Sequence, residues 1–477
     1  MKASIPFVGA SYQARSLNVD AQRAINCFVE MDNASPRAPV ALYGTPGLRK
    51  IATAPSGLGC RGAITQSGYA WLVIGGYVYK MDGSYNLTLV GSIGTTTGQI
   101  GIASNGAEIL VVDGSAGYII DVNLSTVTQI TDPDFPSGVK RAAYQDGYFI
   151  VTGDNSQSFY ISQLLDGGTW DGLDFASAEG SPDSTVGCIS DHRELWLFGS
   201  DSAEVWVNTG NVDFPFERSG NTFIEHGCAA AGSINKLDNT VFWLGADDRG
   251  FGIVWRANGY TPMRVSTHAV ETAIGGYTTI EDAFSFTYQQ EGHSFYVLTF
   301  PTANATWVYD AATQLWHERA YRDLNTGTLS EWRASAHCVL NNDHIVGDIE
   351  DGRIYVLDLD YFTDDTDPIL RLRASQTQSQ LQNRLFYKTL QIDMETGVGL
   401  TTGQGSAPLL MMRYSSDGGH TWSNYKEQTV GAAGAYGARC LFNRLGAGRN
   451  RAWEISMTDP IKFVVLGAFV DAEAGIS

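Results

Sequence analysis

The chain has 477 residues, of which 43% are apolar and 17% charged, which is enough for a large core and too long for one ordinary domain. Its 53 glycines and its 22 Tyr, 21 Phe and 11 Trp residues favour an all-β protein of aromatic strands separated by glycine turns. With 51 acidic and 31 basic residues the net charge is −20, which argues against non-specific nucleic-acid binding by the average surface but leaves a local basic patch open.

The cysteines and the N-terminus indicate a reducing compartment. The six cysteines are far apart and form no CxxC pair, which predicts free core residues and excludes a disulfide framework or a zinc signature. They are Cys27, Cys60, Cys188, Cys228, Cys338 and Cys440. Because the first residues lack the apolar stretch of a signal peptide and no run of 18 apolar residues occurs, we expect a soluble cytoplasmic product without a membrane span.

Residues 1–57 carry turn signals but no hairpin repeat, and we predict that they form an N-terminal arm. Within it, residues 43–48 read YGTPGL. Pro46 and Gly47 suit the two central positions of a type II turn, in which Gly47 takes a positive φ.

Between residues 58 and 378 a hairpin of two apolar strands recurs every 38 to 54 residues, a spacing typical of a β-propeller. The hairpins begin at Ala70, Glu108, Tyr148, Glu194, Thr240, Ser294 and Asp343. Residues 195–198 are apolar on both faces, as expected of a strand covered on each side by a neighbouring blade. The alternative, a β-sandwich, would leave one face polar. We therefore predict an all-β propeller of seven blades, or of six if a terminal hairpin belongs to a partial blade.

After the acidic stretch 358–367, which we interpret as a solvated linker, the spacing of the strands changes. Residues 379–477 contain longer strands and are predicted to form a small C-terminal domain that resembles a β-sandwich.

Residues 415–422 read SSDGGHTW and resemble the Asp-box hairpin of sialidases and other propeller proteins. Asp417 can accept hydrogen bonds from turn amides, Gly419 relieves the tight turn, and Trp422 packs beneath it. In that family the box is structural, and the RIP element that sialidases also need is absent from this sequence. The motif therefore predicts a stable hairpin and not glycan cleavage.

No motif for nucleotide binding or hydrolysis occurs: GxGxxG, the P-loop, GxSxG and HExxH are all missing. Asp343, His344 and Asp348 alternate between strand faces, and the stretch 358–367 lacks the glycine that an EF-hand loop requires. We predict no enzyme activity and no catalytic, cofactor or metal site. Two alternatives remain: a propeller that hydrolyses polysaccharide with paired carboxylates, or one that binds glycans or peptides.

The two ends of the chain resemble a known family. Residues 14–31 (ARSLNVDAQRAINCFVEM), 39–48 (PVALYGTPGL) and 443–468 (NRLGAGRNRAWEISMTDPIKFVVLGA) are similar to tail hub, or nozzle, proteins of short-tailed bacteriophages, also called packaged-DNA stabilisation proteins. The resemblance implies a ring in the virion tail, typically a hexamer, that is assembled in the host bacterial cytoplasm. It implies that the ring lies below the portal and its adaptor, extends the DNA channel, retains packaged DNA, and docks tail fibres, spikes or a needle.

An acidic wall repels phosphates, so we expect double-stranded DNA to pass through such a ring without sequence-specific binding. Both chain ends carry charges that are candidates for subunit or adaptor contacts. The candidate interface residues are Arg15, Asp20, Arg23, Arg444, Arg449 and Arg451. The alternative is that these side chains only brace their own domain. We also expect deletion of residues 1–40 to leave a folded propeller and to block assembly.

Overall fold

A computed structural model describes residues 2–32, 34–35, 38–153, 156–178, 180–220, 222–246 and 252–475. In these ranges the regular structure is almost entirely strand, and the exceptions are the 3-10 helix η1 (Ala231–Ser233) and the α-helix α1 (His268–Ile274). Neither helix is long and apolar enough to cross a membrane. The predicted all-β class is confirmed, and all six cysteines are buried and unpaired, as expected.

Six strands precede the first blade of the propeller. They are β1 (Lys2–Ile5), β2 (Tyr12–Gln13), β3 (Ala21–Ile25), β4 (Cys27–Met31), β5 (Val40–Gly44) and β6 (Gly47–Thr53). They do not form a sheet of their own, because each one pairs with a strand from a later part of the chain or lies beside one that does.

The propeller follows as successive antiparallel sheets of four strands. The first three blades are β7 (Cys60–Gln66), β8 (Tyr69–Ile74), β9 (Tyr77–Met81) and β10 (Leu87–Ser92); β11 (Gly101–Ser104), β12 (Glu108–Val112), β13 (Gly117–Asp121) and β14 (Thr126–Gln129); and β15 (Ala142–Gln145), β16 (Tyr148–Thr152), β17 (Ser158–Gln163) and β18 (Asp166–Ser177). The next three are β19 (Thr185–Asp191), β20 (Glu194–Gly199), β21 (Ala203–Asn208) and β22 (Phe216–Arg218); β23 (Asn235–Leu237), β24 (Thr240–Ala246), β25 (Gly252–Asn258) and β26 (Thr261–Arg264); and β27 (Phe284–Gln290), β28 (His293–Phe300), β29 (Ala305–Asp310) and β30 (Leu315–Arg319).

The seventh sheet closes the ring. After a small pair, β31 (Tyr321–Arg322) and β32 (Leu329–Ser330), the chain forms β33 (Ala334–Leu340), β34 (Asp343–Asp348) and β35 (Arg353–Asp358). The outer strand of this blade is β6 from the N-terminal region, which pairs antiparallel with β35. The innermost strands contact their neighbours around the axis, with η1 bridging the fourth and fifth blades and β33 meeting β7. The described residues therefore form a propeller of seven blades with four strands each, of which the sixth and the seventh continue into larger sheets.

In the fourth and seventh blades, the turn that leads from the innermost strand into the predicted hairpin suits the twist of the strands. The two-residue turns at His192-Arg193 and Asn341-Asn342 have positive φ at both positions, as in type I′ turns. The middle strands that follow are buried on both faces. On β20, Leu195 and Leu197 enter one inter-blade core while Trp196 and Phe198 enter the next.

The structure does not set residues 1–57 apart as an arm. Strand β6 belongs to the propeller, and Gly47 does not have the positive φ that the type II turn predicted. Gly47 instead begins β6 opposite Asp358, where a Cβ would lie 2.2 Å from the carbonyl oxygen of Tyr361. Glycine is needed here because backbone approaches closely, and the expected turn conformation is wrong.

The remaining strands belong to the last blade and to a β-sandwich. They are β36 (Thr363–Asp364), β37 (Asp367–Pro368), β38 (Arg371–Ala374), β39 (Gln378–Ser379), β40 (Leu385–Met394), β41 (Leu409–Ser415), β42 (Lys426–Thr429), β43 (Cys440–Asn443), β44 (Ala447–Gly448), β45 (Asn450–Met457) and β46 (Val464–Ala474). The hairpin β36–β37 extends the seventh blade, because Asp364 pairs with Leu48 of β6.

The sandwich draws strands from both chain ends. One sheet has the order β4-β5-β46-β40-β43, with β1 on β46 and β44 on β40. The other contains β3, β38, β45, β41 and β42, and β3 also meets β30 of the sixth blade, so propeller and sandwich share one eleven-stranded sheet. The sandwich thus consists of the chain from Arg371 onwards together with the first five strands of the chain. The sequence predicted a domain of residues 379–477 alone.

Candidate assembly surfaces

The three N-terminal candidate residues differ in their surroundings. Arg15 is exposed in a turn. Asp20 accepts hydrogen bonds from the backbone and side-chain amides of Gln22, at 3.0 and 2.9 Å, and so stabilises that turn. Arg23 on β3 makes a two-pronged ion pair with Glu318 on β30, and this carboxylate raises the pKa of the guanidinium despite its burial. Arg23 therefore joins the sandwich to the sixth blade of its own chain.

The C-terminal candidates divide into two kinds. Arg444 and Arg449 are exposed, and Arg449 donates a 2.5 Å hydrogen bond to the carbonyl of Gln382. Arg451 is fully buried, with its guanidinium 4.4 Å from the ring centre of Tyr387 and 4.0 Å from that of Tyr414. Arg451 therefore braces the sandwich core and has no exposed surface with which to contact another molecule.

The Asp-box hairpin is formed as the sequence predicted. Asp417 accepts a hydrogen bond from the backbone amide of Thr421 at 2.9 Å and one from the hydroxyl of Ser415 at 2.6 Å. These hydrogen bonds lower the pKa of the carboxyl. Gly419 has a positive φ, and Trp422 packs against a buried cluster that includes Ile25 of β3. The box thus holds the N-terminal segment against the sandwich.

The acidic stretch 358–367 is not the solvated linker that we expected. Asp358 pairs with Arg49 at 2.8 Å, and Asp365 pairs with Lys50 at 3.0 Å. Asp364 is buried, and burial raises its pKa to about 6. This stretch therefore fastens the closing strand β6. Among the described residues, no three His, Cys, Asp or Glu side chains form a group that could hold a metal ion.

The axis of the propeller is crossed by a side chain near the start of the second blade. The amide of Gln99 donates hydrogen bonds to the carbonyls of Asp282 and Ala283, at 3.0 and 3.1 Å, at the start of the sixth blade. A Cβ added at Gly232 would lie 2.7 Å from the Gln99 side chain. Since seven-bladed propellers enclose a space that side chains fill, a DNA duplex does not fit along the axis of this propeller.

The net charge is carried by the propeller, a division that sequence analysis missed although it can be counted directly. Residues 47–362 contain 37 acidic and 16 basic residues, whereas residues 371–477 contain 8 acidic and 11 basic residues. The third blade and its flanks are extreme, because residues 142–192 contain eight acidic residues and no Lys or Arg.

An exposed surface of acidic and apolar residues lies on the outer rim of the third and fourth blades. A cleft of about 370 Å³ there is lined by Leu164, Asp174, Val212 and Asp213 among others. Leu164 and Leu165 form the two-residue turn between β17 and β18, and both are exposed. We call Leu164, Leu165, Asp174, Val212 and Asp213 the rim patch.

A second exposed surface, basic and apolar, lies on the sandwich. Leu381 is 91% exposed, and Arg384 lies beside the exposed ring of Phe386 on β40. Pairing of Phe386 with Ala447 of β44 brings Arg449 close to this group. We call Leu381, Arg384, Phe386 and Arg449 the sandwich patch.

These features define a structural β-propeller protein that carries a β-sandwich built from both chain ends. A family model described as bacteriophage P22 Gp10, beta-propeller, matches residues 3–362, and one described as bacteriophage P22 Gp10, beta-sandwich, matches residues 372–473. The chain therefore belongs to the bacteriophage P22 Gp10 family of packaged-DNA stabilisation proteins of phage tails, and the resemblance read from its two ends is confirmed. A search of curated proteins gives no significant sequence match.

Several solved structures are weakly similar. The extracellular domain of the hybrid two-component system BT4673 from B. thetaiotaomicron is 11% identical with a TM-score of 0.45, over 65% of this chain and 39% of that one. The N-terminal domain of Nup159 is 11% identical with a TM-score of 0.42, over 70% and 98%. The computationally designed Ika8 protein is 12% identical with a TM-score of 0.38, over 74% and 98%. The chain spans about two fifths of the first structure's length, and similarities this weak carry no argument.

Proposed function

We propose that the protein forms a ring, a hexamer in the first instance, that extends the DNA channel below the portal and its adaptor in the virion tail. The ring retains packaged DNA, lets it pass at ejection, and docks tail fibres, spikes or a needle. Its subunits are made and assembled in the host bacterial cytoplasm. The observation that carries the proposal is the match of both domains to the phage Gp10 family.

The geometry of one subunit supports a channel between copies. Gln99 crosses the axis of the propeller, so DNA has to pass between subunits and not through any one of them. The acidic propeller supports passage without a tight grip, because residues 47–362, with 37 acidic and 16 basic residues, present a negative average surface that repels phosphates. We therefore propose a structural role and no enzymatic one.

Light scattering coupled to size-exclusion chromatography tests the ring. The purified chain, alone or with the portal adaptor, should elute with a mass near six times 51.7 kDa. A chain that remains monomeric both alone and in the presence of the adaptor would contradict the proposal. A tail-reconstitution assay extends the test, because heads that lack this protein should lose DNA to added nuclease and recover protection when it is supplied.

A binding assay with short duplex DNA tests the passive wall. We expect weak binding at about 50 mM salt that changes little at about 200 mM, because few phosphates would be contacted. Tight binding that falls steeply with salt would mean many phosphate contacts and would refute the passive wall while leaving the ring itself in place.

A further inference from the structure

We propose that the rim patch of one copy binds the sandwich patch of a second copy, head to tail around the ring. This inference rests on the proposed function, because it names the two surfaces that make the ring. Both patches are exposed in the single chain, and one is acidic where the other is basic.

Each patch contains a leucine in a costly conformation. Leu165 has φ of 61° and Leu381 has φ of 49°, and they are the only aliphatic residues with positive φ in the described part of the chain. An L-residue other than Gly, Asn or Asp is disfavoured there, and a large aliphatic side chain especially so. Both leucines also expose most of their surface, at 64% and 91%. An asparagine would suit the folded chain better at both positions, so contact with another molecule best explains the leucines.

The charges of the two patches are complementary. Asp174 lies in the stretch 142–192, which contains no Lys or Arg, and Asp213 lines the same cleft. Desolvation together with Asp171 raises the pKa of Asp174. Arg384 and Arg449 supply the opposite charge, and neither forms an ion pair in the described structure. Complementary patches of this kind steer encounter and fix the orientation of two partners.

The positions of the patches suit a contact between copies. The sandwich is attached at the sixth and seventh blades, because β3 pairs with β30 and Phe28 of β4 packs into the buried cluster between these two blades. In a ring of seven blades, the third blade is the one farthest from that attachment. The rim patch therefore lies at the opposite end of the subunit from the sandwich. Two different surfaces at opposite ends form a heterologous contact, which produces a closed ring when the rotation between neighbours closes.

Cysteine cross-linking of the full chain tests the contact directly. All six natural cysteines are buried, so a short bismaleimide should react only with introduced ones. We expect Leu165→Cys and Leu381→Cys chains, mixed and reassembled, to cross-link into dimers, whereas each variant alone does not. The matched control replaces one partner by Leu324→Cys, which is exposed on a turn outside both patches, and should give no product.

Oligomer stability gives a second readout that folding defects do not imitate. Asn tolerates positive φ, so the Leu165→Asn monomer should melt at a temperature no lower than that of the wild-type monomer. The protein concentration at which half of the oligomer dissociates should be at least tenfold higher for Leu165→Asn than for the wild type. Charge reversal gives the complementary result. Asp174→Lys with Asp213→Lys, or Arg384→Glu with Arg449→Glu, should each prevent assembly, and mixing the two chains should restore it.

The outcomes separate this inference from the proposed function. A wild-type ring with no cross-link between the two positions, or with equal cross-linking of the Leu324→Cys control, would overturn the interface and leave the ring intact. Unchanged assembly of both charge-reversed chains would do the same. If the purified chain forms no ring on its own, the inferred contact between the two patches is wrong. The proposed function would then be decided separately, by whether the chain assembles on the portal adaptor.

Discussion

Closure of the propeller by β6 makes the substitution Gly47→Ala informative. An added Cβ would lie 2.2 Å from the carbonyl oxygen of Tyr361 and 2.5 Å from that of Thr363. Both obstacles are backbone atoms, so no side-chain rotation can relieve the contact. Strand β6 also pairs with β35 on one side and with β36 on the other, and it can move away only by breaking one of these pairings.

The expected cost follows from this geometry. Overpacking in a well-packed site costs about 1–3 kcal/mol, and rigid neighbours place Gly47→Ala at the upper end, about 3 kcal/mol. With an unfolding entropy of about 2.1 cal/mol/K per residue, a cooperative unit of this size has about 1 kcal/mol/K, so the melting temperature should fall by only about 3 °C. Urea unfolding followed by tryptophan fluorescence is therefore the better assay, combined with hydrogen exchange of β6 and β35.

A matched glycine supplies the control. Gly467 lies in β46, has no positive φ, and has no atom within 4 Å of an added Cβ. Gly467→Ala should leave stability unchanged or raise it by up to about 1 kcal/mol. If Gly47→Ala unfolds at the same urea concentration as wild type and Gly467→Ala, with unchanged exchange at β6, the close approach and the closure argument built on it are wrong.

Three further predictions concern the junction and the candidate residues. His293 begins β28, and its hydrogen bond to Asp310 raises the pKa of the imidazole to about 9. The stability that the charged imidazole contributes is therefore complete below pH 6.5 and is lost as pH rises through 9. In urea unfolding, the destabilisation caused by His293→Gln should shrink over that pH range. Arg451→Met should leave ring mass unchanged, whereas Arg449→Glu should reduce assembly, as measured by light scattering. Deletion of residues 1–40 should unfold the sandwich and not merely block assembly, because it removes strands that lie in the two sheets of the sandwich. If β46 keeps its protection from hydrogen exchange in the deleted chain, the N-terminal strands are not needed for the sandwich and the prediction is wrong.

The sequence was sufficient for the hairpins because their signals are local. Each combines a short turn with strands that are apolar on both faces, and β20 shows why, since its two faces enter different cores. The closing strand was not predicted because β6 and β35 are about 300 residues apart and no local pattern links them. A signal was present nonetheless: residues 359–362 after the last hairpin offer no outer strand, while residues 47–53 form a strand without a hairpin partner.

The candidate interface residues were harder to predict, because the presence of an arginine in the sequence does not show whether its side chain is exposed or buried. Arg451 belongs to the densest basic cluster of the sequence, yet aromatic rings surround it in the core. Arg373, which the sequence did not single out, is fully buried and donates hydrogen bonds to the carbonyls of Phe7 and Ala10, both at 2.7 Å. These hydrogen bonds form only when the two ends of the chain meet in the fold. The periodicity of the sequence therefore does not predict them.

The meeting of the chain ends has a mechanical consequence. The chain enters the propeller through β6 and leaves it after β35 and the short hairpin β36–β37, and β6 and β35 pair with each other over six residue pairs. The segments outside them, β3 and β38, pair in turn within the sandwich. Opening the seventh blade therefore requires parting the sandwich as well, which couples the two domains into one cooperative unit. A phage tail component that keeps its shape while neighbours bind benefits from this arrangement, because strain at the sandwich reaches the propeller through paired strands and not through a flexible linker.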